Sequence, residues 1–215
     1  MRSFKYMPVI GERPSRSTLL GLLLLIAASS GCTTAGALLS ASAASQALCS
    51  PYNQLDAETR FDDRSPDAIV VLGVSRIQAM TVLLGVDDGV VWRRDRSGMA
   101  ASTLAEHGFV VFRLRPQTGK KRYAIARVAL EPGATDCYLL SHASSTLAAF
   151  DAPPGRVTYL GGVTIDFVSD GGGSRALLRE DAGISKQQAM AFVAARYPGI
   201  RAEMTGGRLD WVYTE

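Results

Sequence analysis

The sequence predicts a mainly β fold, an antiparallel β-sandwich or partly closed barrel, with one C-terminal α-helix. Three observations carry this. From Asp67 onward, apolar runs of strand length are separated by turn residues at short intervals. No helical period falls between them, which removes the crossovers that a doubly wound sheet needs. One segment near the C-terminus changes to a helical period, behind a serine cap.

Asp67–Gly73 (DAIVVLG) and Thr81–Val86 (TVLLGV) are rich in β-branched residues, which pack well on a pleated surface. Val90–Arg94 follows Asp88-Gly89, and an Asp-Gly pair between two such runs predicts a hairpin. Phe109–Arg115 alternates, with Val110, Phe112 and Leu114 on one face and Val111, Arg113 and Arg115 on the other. Gln117-Thr-Gly-Lys-Lys121 reads as a hairpin loop into Arg122–Leu130, where Tyr123 and Ile125 share a face. Cys137–Ser141 and Leu147–Phe150 are shorter strands. Val157 and Tyr159, then Val163, Ile165 and Phe167, give two more by alternation. Gly171-Gly-Gly-Ser174 reads as a flexible linker to the helix. There Ser185 and Gln188 form a capping box, and Met190, Val193 and Tyr197 make an apolar stripe flanked by Ala189 and Phe192. Pro198-Gly199 ends this helix, placed at residues 185–197. Arg208–Tyr213 is expected as a last, edge strand.

Residues 1–31 have a different character. Arg13 and Arg16 precede an apolar run from Leu19 to Ala28, then small residues, then Cys32. Positive flank, short apolar core and small-residue exit make a bacterial secretory signal. The apolar run is too short to span a bilayer, which takes about 20 residues. The cysteine at the cleavage point resembles that of lipoprotein signals, with Ser30 and Gly31 fitting the pattern and Ser29 standing where it carries an aliphatic residue. That resemblance implies an acylated Cys32, and two acyl chains already suffice for stable anchoring. Thr33 follows instead of an aspartate, so the resemblance further implies the outer membrane, facing the periplasm. Residues 32–60 are expected as a tether, rich in Ala and Ser at first and polar and acidic toward its end; residues 61–215 form the folded domain.

The formal charge of +3 belongs to the signal, which holds Arg2, Lys5, Arg13 and Arg16 against Glu12. Beyond Gly31 the 23 basic and 20 acidic side chains fall to 19 of each, so the mature chain is formally neutral. A neutral chain lacks the basic face that phosphate backbones require, so no nucleic-acid partner is expected. Cys49 and Cys137 remain once Cys32 is assigned to the anchor, and in an oxidising periplasm they are expected to pair. Closing so long a loop would stabilise by about 3–5 kcal/mol in the chain-entropy account.

Asp151–Gly162 (DAPPGRVTYLGG) resembles a turn-plus-strand of poorly characterised bacterial envelope lipoproteins, in which a Pro-Pro-Gly turn leads an arginine–tyrosine–apolar–glycine strand. Arg196-Tyr197-Pro198-Gly199 looks similar too. The resemblance implies a β-sandwich in the envelope and brings no catalytic residues with it.

The search for chemistry yields few candidates. His107 and His142 lie near Ser102, Ser141, Ser144 and Ser145, but no nucleophile-elbow glycines surround any serine. Gly171–Ser174 lacks the lysine of a phosphate loop. Asp62-Asp63, Asp87-Asp88 and Glu180-Asp181 lack the alternating carboxylates of a calcium loop, so neither metal nor cofactor is expected. Arg93, Arg94 and Arg96 form the concentrated basic patch, a candidate for anionic headgroups. Trp92 and Trp211 are candidates for sugar stacking, although packing is the commoner role of such residues. The expectation is a non-enzymatic accessory or binding module for another envelope component, protein or glycan, anchored to the membrane by lipid. A carbohydrate- or peptidoglycan-binding module would show Trp92, Trp211 or Tyr213 side by side on one surface. A hydrolase would show His107 or His142 bonded to a serine in a cleft.

Overall fold

The structure, a computed structural model, describes residues 54–130, 138–139, 146–170 and 173–214. The strands are β1 (Ala68–Ser75), β2 (Ala79–Asp87), β3 (Val91–Leu104), β4 (Phe109–Leu114), β5 (Lys121–Ala129), β6 (Tyr138–Leu139), β7 (Thr146–Phe150), β8 (Val157–Asp170) and β9 (Gly173–Glu180). The helix α1 (Lys186–Arg196) follows, then β10 (Met204–Gly206) and β11 (Asp210–Thr214). Among the described residues no helix is long and apolar enough to cross a membrane.

The strands make two sheets, as the alternation predicts. In one, β10, β8, β1 and β4 lie side by side, and β9 pairs with the far half of β8. In the other, β2, β3, β11, β7 and β5 follow one another and β2 pairs back to β5, so five strands form a partly closed ring with β6 continuing along β5. Most pairings are antiparallel, but β1–β8, β10–β8 and β11–β3 are parallel. The β3–β11 seam is short, Val91 and Trp92 against Tyr213 and Thr214.

Three apolar layers hold this together. Val70, Leu72 and Val74 of β1 meet Met80, Val82, Ile125 and Phe150 on the outer wall of the ring. The opposite face of β1, with Ile69 and Val71, meets Ala189, Val193 and Tyr197 of the helix end. Since β1 is covered on both sides its sequence is an unbroken apolar run, and each such side chain contributes about 1.5–3 kcal/mol on burial. The third layer is the inside of the ring.

Local chemistry explains the boundaries. Gly89 (φ 88°) turns β2 into β3, as Asp88-Gly89 predicts. Gly155 (φ 63°) closes the Pro-Pro-Gly turn, where a Cβ would lie 2.2 Å from the Asp63 carbonyl oxygen, so only glycine fits. Ser185 and Gln188 make the expected capping box. Arg196 grips Glu106 with two bonds of 2.6 and 3.2 Å, which hold the Glu106 carboxyl below its ordinary value.

Several expectations change. The buried row of α1 is Ala189, Val193 and Tyr197, at intervals of four; Met190 sits one residue around and is 47% exposed. The two strands expected at Val157 and Val163 are one, β8, continuing through Gly161-Gly162. Gly173 and Ser174, expected in a linker, open β9 opposite Asp170 and Ser169. The loop before β5 is no hairpin: β4 pairs with β1 and β5 with the ring, so it crosses between sheets. Arg208–Tyr213 is not an edge, because β11 pairs with β3 and β7 on its two sides. The folded body also begins before residue 61, since Leu55 is buried against the helix layer.

Candidate functional site

The ring is narrow, and on β5 small side chains line it. On β5 the residues facing inward are Arg122, Ala124 and Ala126, while Tyr123 and Ile125 face out. Ala149, Leu147, Leu83 and Val212 complete the lining from the other strands. Trp92 fills what remains. It is 3% exposed, and its ring lies over Gly85, where a Cβ would sit 2.2 Å from Trp92 Cε2. Its Nε1 donates to the Arg122 carbonyl at 3.3 Å. Trp92 is therefore a packing residue, and its candidacy for binding ends here.

One end of the ring is shut by Arg122. Its guanidinium reaches Asp210 at 2.6 Å, Asp87 at 3.0 Å and Asp151 at 3.0 Å, three carboxylates from β11, β2 and the end of β7. Burial works against the charge of Arg122, but the bonds from Asp210 and Asp87 and the field of Asp151 outweigh it and raise its pKa. Arg208 lies against the outer oxygen of Asp210 at 2.8 Å. Beside this cage an open pocket of about 300 Å³ is lined by Gln117, Lys121, Arg122, Asp151, Pro153 and Pro154. Gln117 donates to the Tyr123 hydroxyl, which itself donates to the Arg115 carbonyl. Desolvation raises the Tyr123 pKa, so the phenol stays protonated. The pocket can hold polar groups by donors and one carboxylate; it pairs no nucleophile with a base.

The expected basic patch comes apart, because strand alternation sends neighbours to opposite faces. Arg93 turns outward to Asp88 at 2.7 Å, and Asp88 sits at about 2 because the Val91 and Val90 amides and Arg93 donate to it. Arg94 starts from the ring-facing side of β3, two residues after Trp92. Asp95 meets Lys121 at 3.0 Å. Arg96 lies in β3, with its side chain outside the described part.

Ser102 and His107 are not brought together. The Ser102 hydroxyl accepts from Thr81 at 3.0 Å inside the fold, and His107 lies 6.3 Å from the Phe192 ring of α1. Cys32, Cys49, Cys137, His142, Ser141, Ser144 and Ser145 lie outside the described residues. Among the described residues no group of three His, Cys, Asp or Glu side chains could hold a metal.

The outer wall of the ring is covered by the second sheet only in part. On β11, Trp211 and Tyr213 share one face, 41% and 60% exposed, with Val91 directly across from Tyr213. Of the three aromatic candidates, these two stand side by side.

The sequence reading missed Arg122, its three aspartates and Arg127. A signal existed: Arg122, Ala124 and Ala126 alternate with large apolar residues, the pattern of a tight interior with a charged end. No protein-family model, curated protein or solved structure matches this chain.

Proposed function

We propose that the chain is a lipid-anchored binding module of the bacterial envelope, facing the periplasm and non-enzymatic, which docks an envelope glycan on the outer wall of β11. The anchor rests on the signal-like residues 1–31 and Cys32. One observation carries the docking face: Trp211 and Tyr213 are two residues apart, on the same side of β11, and both exposed. Aromatic faces pack against the C–H faces of sugars while their polar tips stay wet. Val91 widens the apolar surface next to Tyr213. A hydrolase has less support, since the Ser102 hydroxyl is engaged by Thr81 and His107 faces Phe192.

Co-sedimentation of the full chain with purified peptidoglycan sacculi tests the docking face. Wild type is retained, and the double variant W211A/Y213A loses about tenfold or more in affinity while keeping its unfolding midpoint within a few degrees, as expected for two stacking contacts. Equal retention of both proteins would overturn the glycan reading. The intact mass of membrane-extracted protein checks the anchor separately: Cys32–Glu215 with added diacylglycerol and acyl groups supports it, and an uncut or unlipidated chain sinks it.

A further inference from the structure

Among the described residues, the second end of the ring carries charge without counter-charge. β5 has a bulge where Thr81 pairs with Arg127 and Val82 with Ile125, leaving Ala126 as the extra residue. Arg127 thereby lands on the same face as Ala126, opposite Thr81, which in turn lies opposite Ser102. Thr81 belongs to the inward row of β2 with Leu83, so Arg127, Thr81 and Ser102 form one polar row at the end of the ring remote from Arg122.

The Arg127 Nε atom is buried and, among the described residues, has no hydrogen-bond partner. Among the described residues, no carboxylate pairs with Arg127 or with Arg94. Desolvation lowers the Arg127 pKa, and the like charge of Arg94, an exposed residue nearer the Arg122 end, lowers it further. A buried donor left unpaired on a charged group is costly to keep. Arginine is also the side chain whose fork matches the oxygens of a phosphate. Ser102 accepts from Thr81 and keeps its own hydroxyl proton to donate.

We infer that this end of the ring is a binding site for a phosphate-class oxyanion, held by the Arg127 guanidinium with the Ser102 hydroxyl as a second donor. The inference is independent of the glycan face on β11. It accounts for an orphan donor that the fold itself does not use, and it gives the ring one closed end and one receptive end.

The test uses the purified full chain and inorganic phosphate at constant ionic strength, read by calorimetry and by the unfolding midpoint. Phosphate binds wild type saturably and raises its midpoint. R127M binds phosphate about 10- to 100-fold more weakly, the loss expected for a charge-assisted forked contact. In phosphate-free buffer R127M melts at or above wild type, which shows that the variant folds. No saturable binding at millimolar phosphate, or equal binding by R127M, would overturn the site. Phosphatidylglycerol vesicles separate the sources of the phosphate. Arg127-dependent vesicle binding that phosphate competes away assigns the group to a lipid headgroup, and phosphate binding without vesicle binding assigns it to a soluble phosphate.

Discussion

Arg122 and Arg127 stand five residues apart on β5, both turned to the inside of the same ring, and the fold treats them in opposite ways. Arg122 has three carboxylates around its guanidinium and a pKa raised above normal despite burial. Arg127, among the described residues, has a buried Nε with no partner, and desolvation with the like charge of Arg94 lowers its pKa. The first is a bolt, since it ties β2, β5, β11 and the end of β7 at one point. The second contributes nothing comparable to holding strands together. A charge that serves structure arrives with its counter-charges; one without them points to something the protein meets from outside.

The contrast can be broken or sharpened by substitution. R122L has the largest expected effect. It leaves Asp87, Asp151 and Asp210 facing one another without a cation, and should cost about 2–3 kcal/mol in urea unfolding, discounted from a fully buried pair because Asp151 is exposed. A cost below about 1 kcal/mol would reduce the cage to ordinary surface pairs. D210N removes one of three partners and keeps a hydrogen-bond acceptor, so about 1 kcal/mol is expected in the same titration. R127M has the smallest effect and the opposite sign: without oxyanion it should be neutral or up to about 1 kcal/mol more stable, because an unpaired desolvated charge is replaced by apolar volume. If R127M cost as much as R122L, the two arginines would be equivalent bolts and the comparison would fail.

Legibility in the sequence follows the range of the interactions. The Asp88-Gly89 hairpin, the alternation of Phe109–Leu114 and the Ser185 capping box are local, and the structure has each of them. Closure of the ring is not local. The β11 partners are Val91 and Trp92 on one side and residues of β7 on the other, and nothing around Asp210 announces them. The Arg122–Asp210 bond joins residues 88 apart, and no spacing rule reaches that far. Alternation around Val157 and around Val163 predicts two strands, yet β8 runs through Gly161-Gly162 with a shift of register against β1. The inner lining was hard to see for another reason: Ala124, Ala126 and Ala149 are too small to register as a hydrophobic face, although they set the width of the ring. On the site itself, alternation alone dismantles the Arg93–Arg96 patch, and that reasoning was open from the start.

That alanine lining also limits what this protein can take inside. Eight-stranded barrels have room for a small ligand or a full set of side chains in their lumen. Here, among the described residues, five strands close on three alanines, Leu83, Leu147, Val212 and a single indole. A lipid tail or other apolar cargo would have to displace Trp92 to enter, and Trp92 is fixed by Gly85 beneath it and by its bond to the Arg122 carbonyl. A partner therefore meets this protein on its rims or its outer wall, in contact with water, and is held without being enclosed.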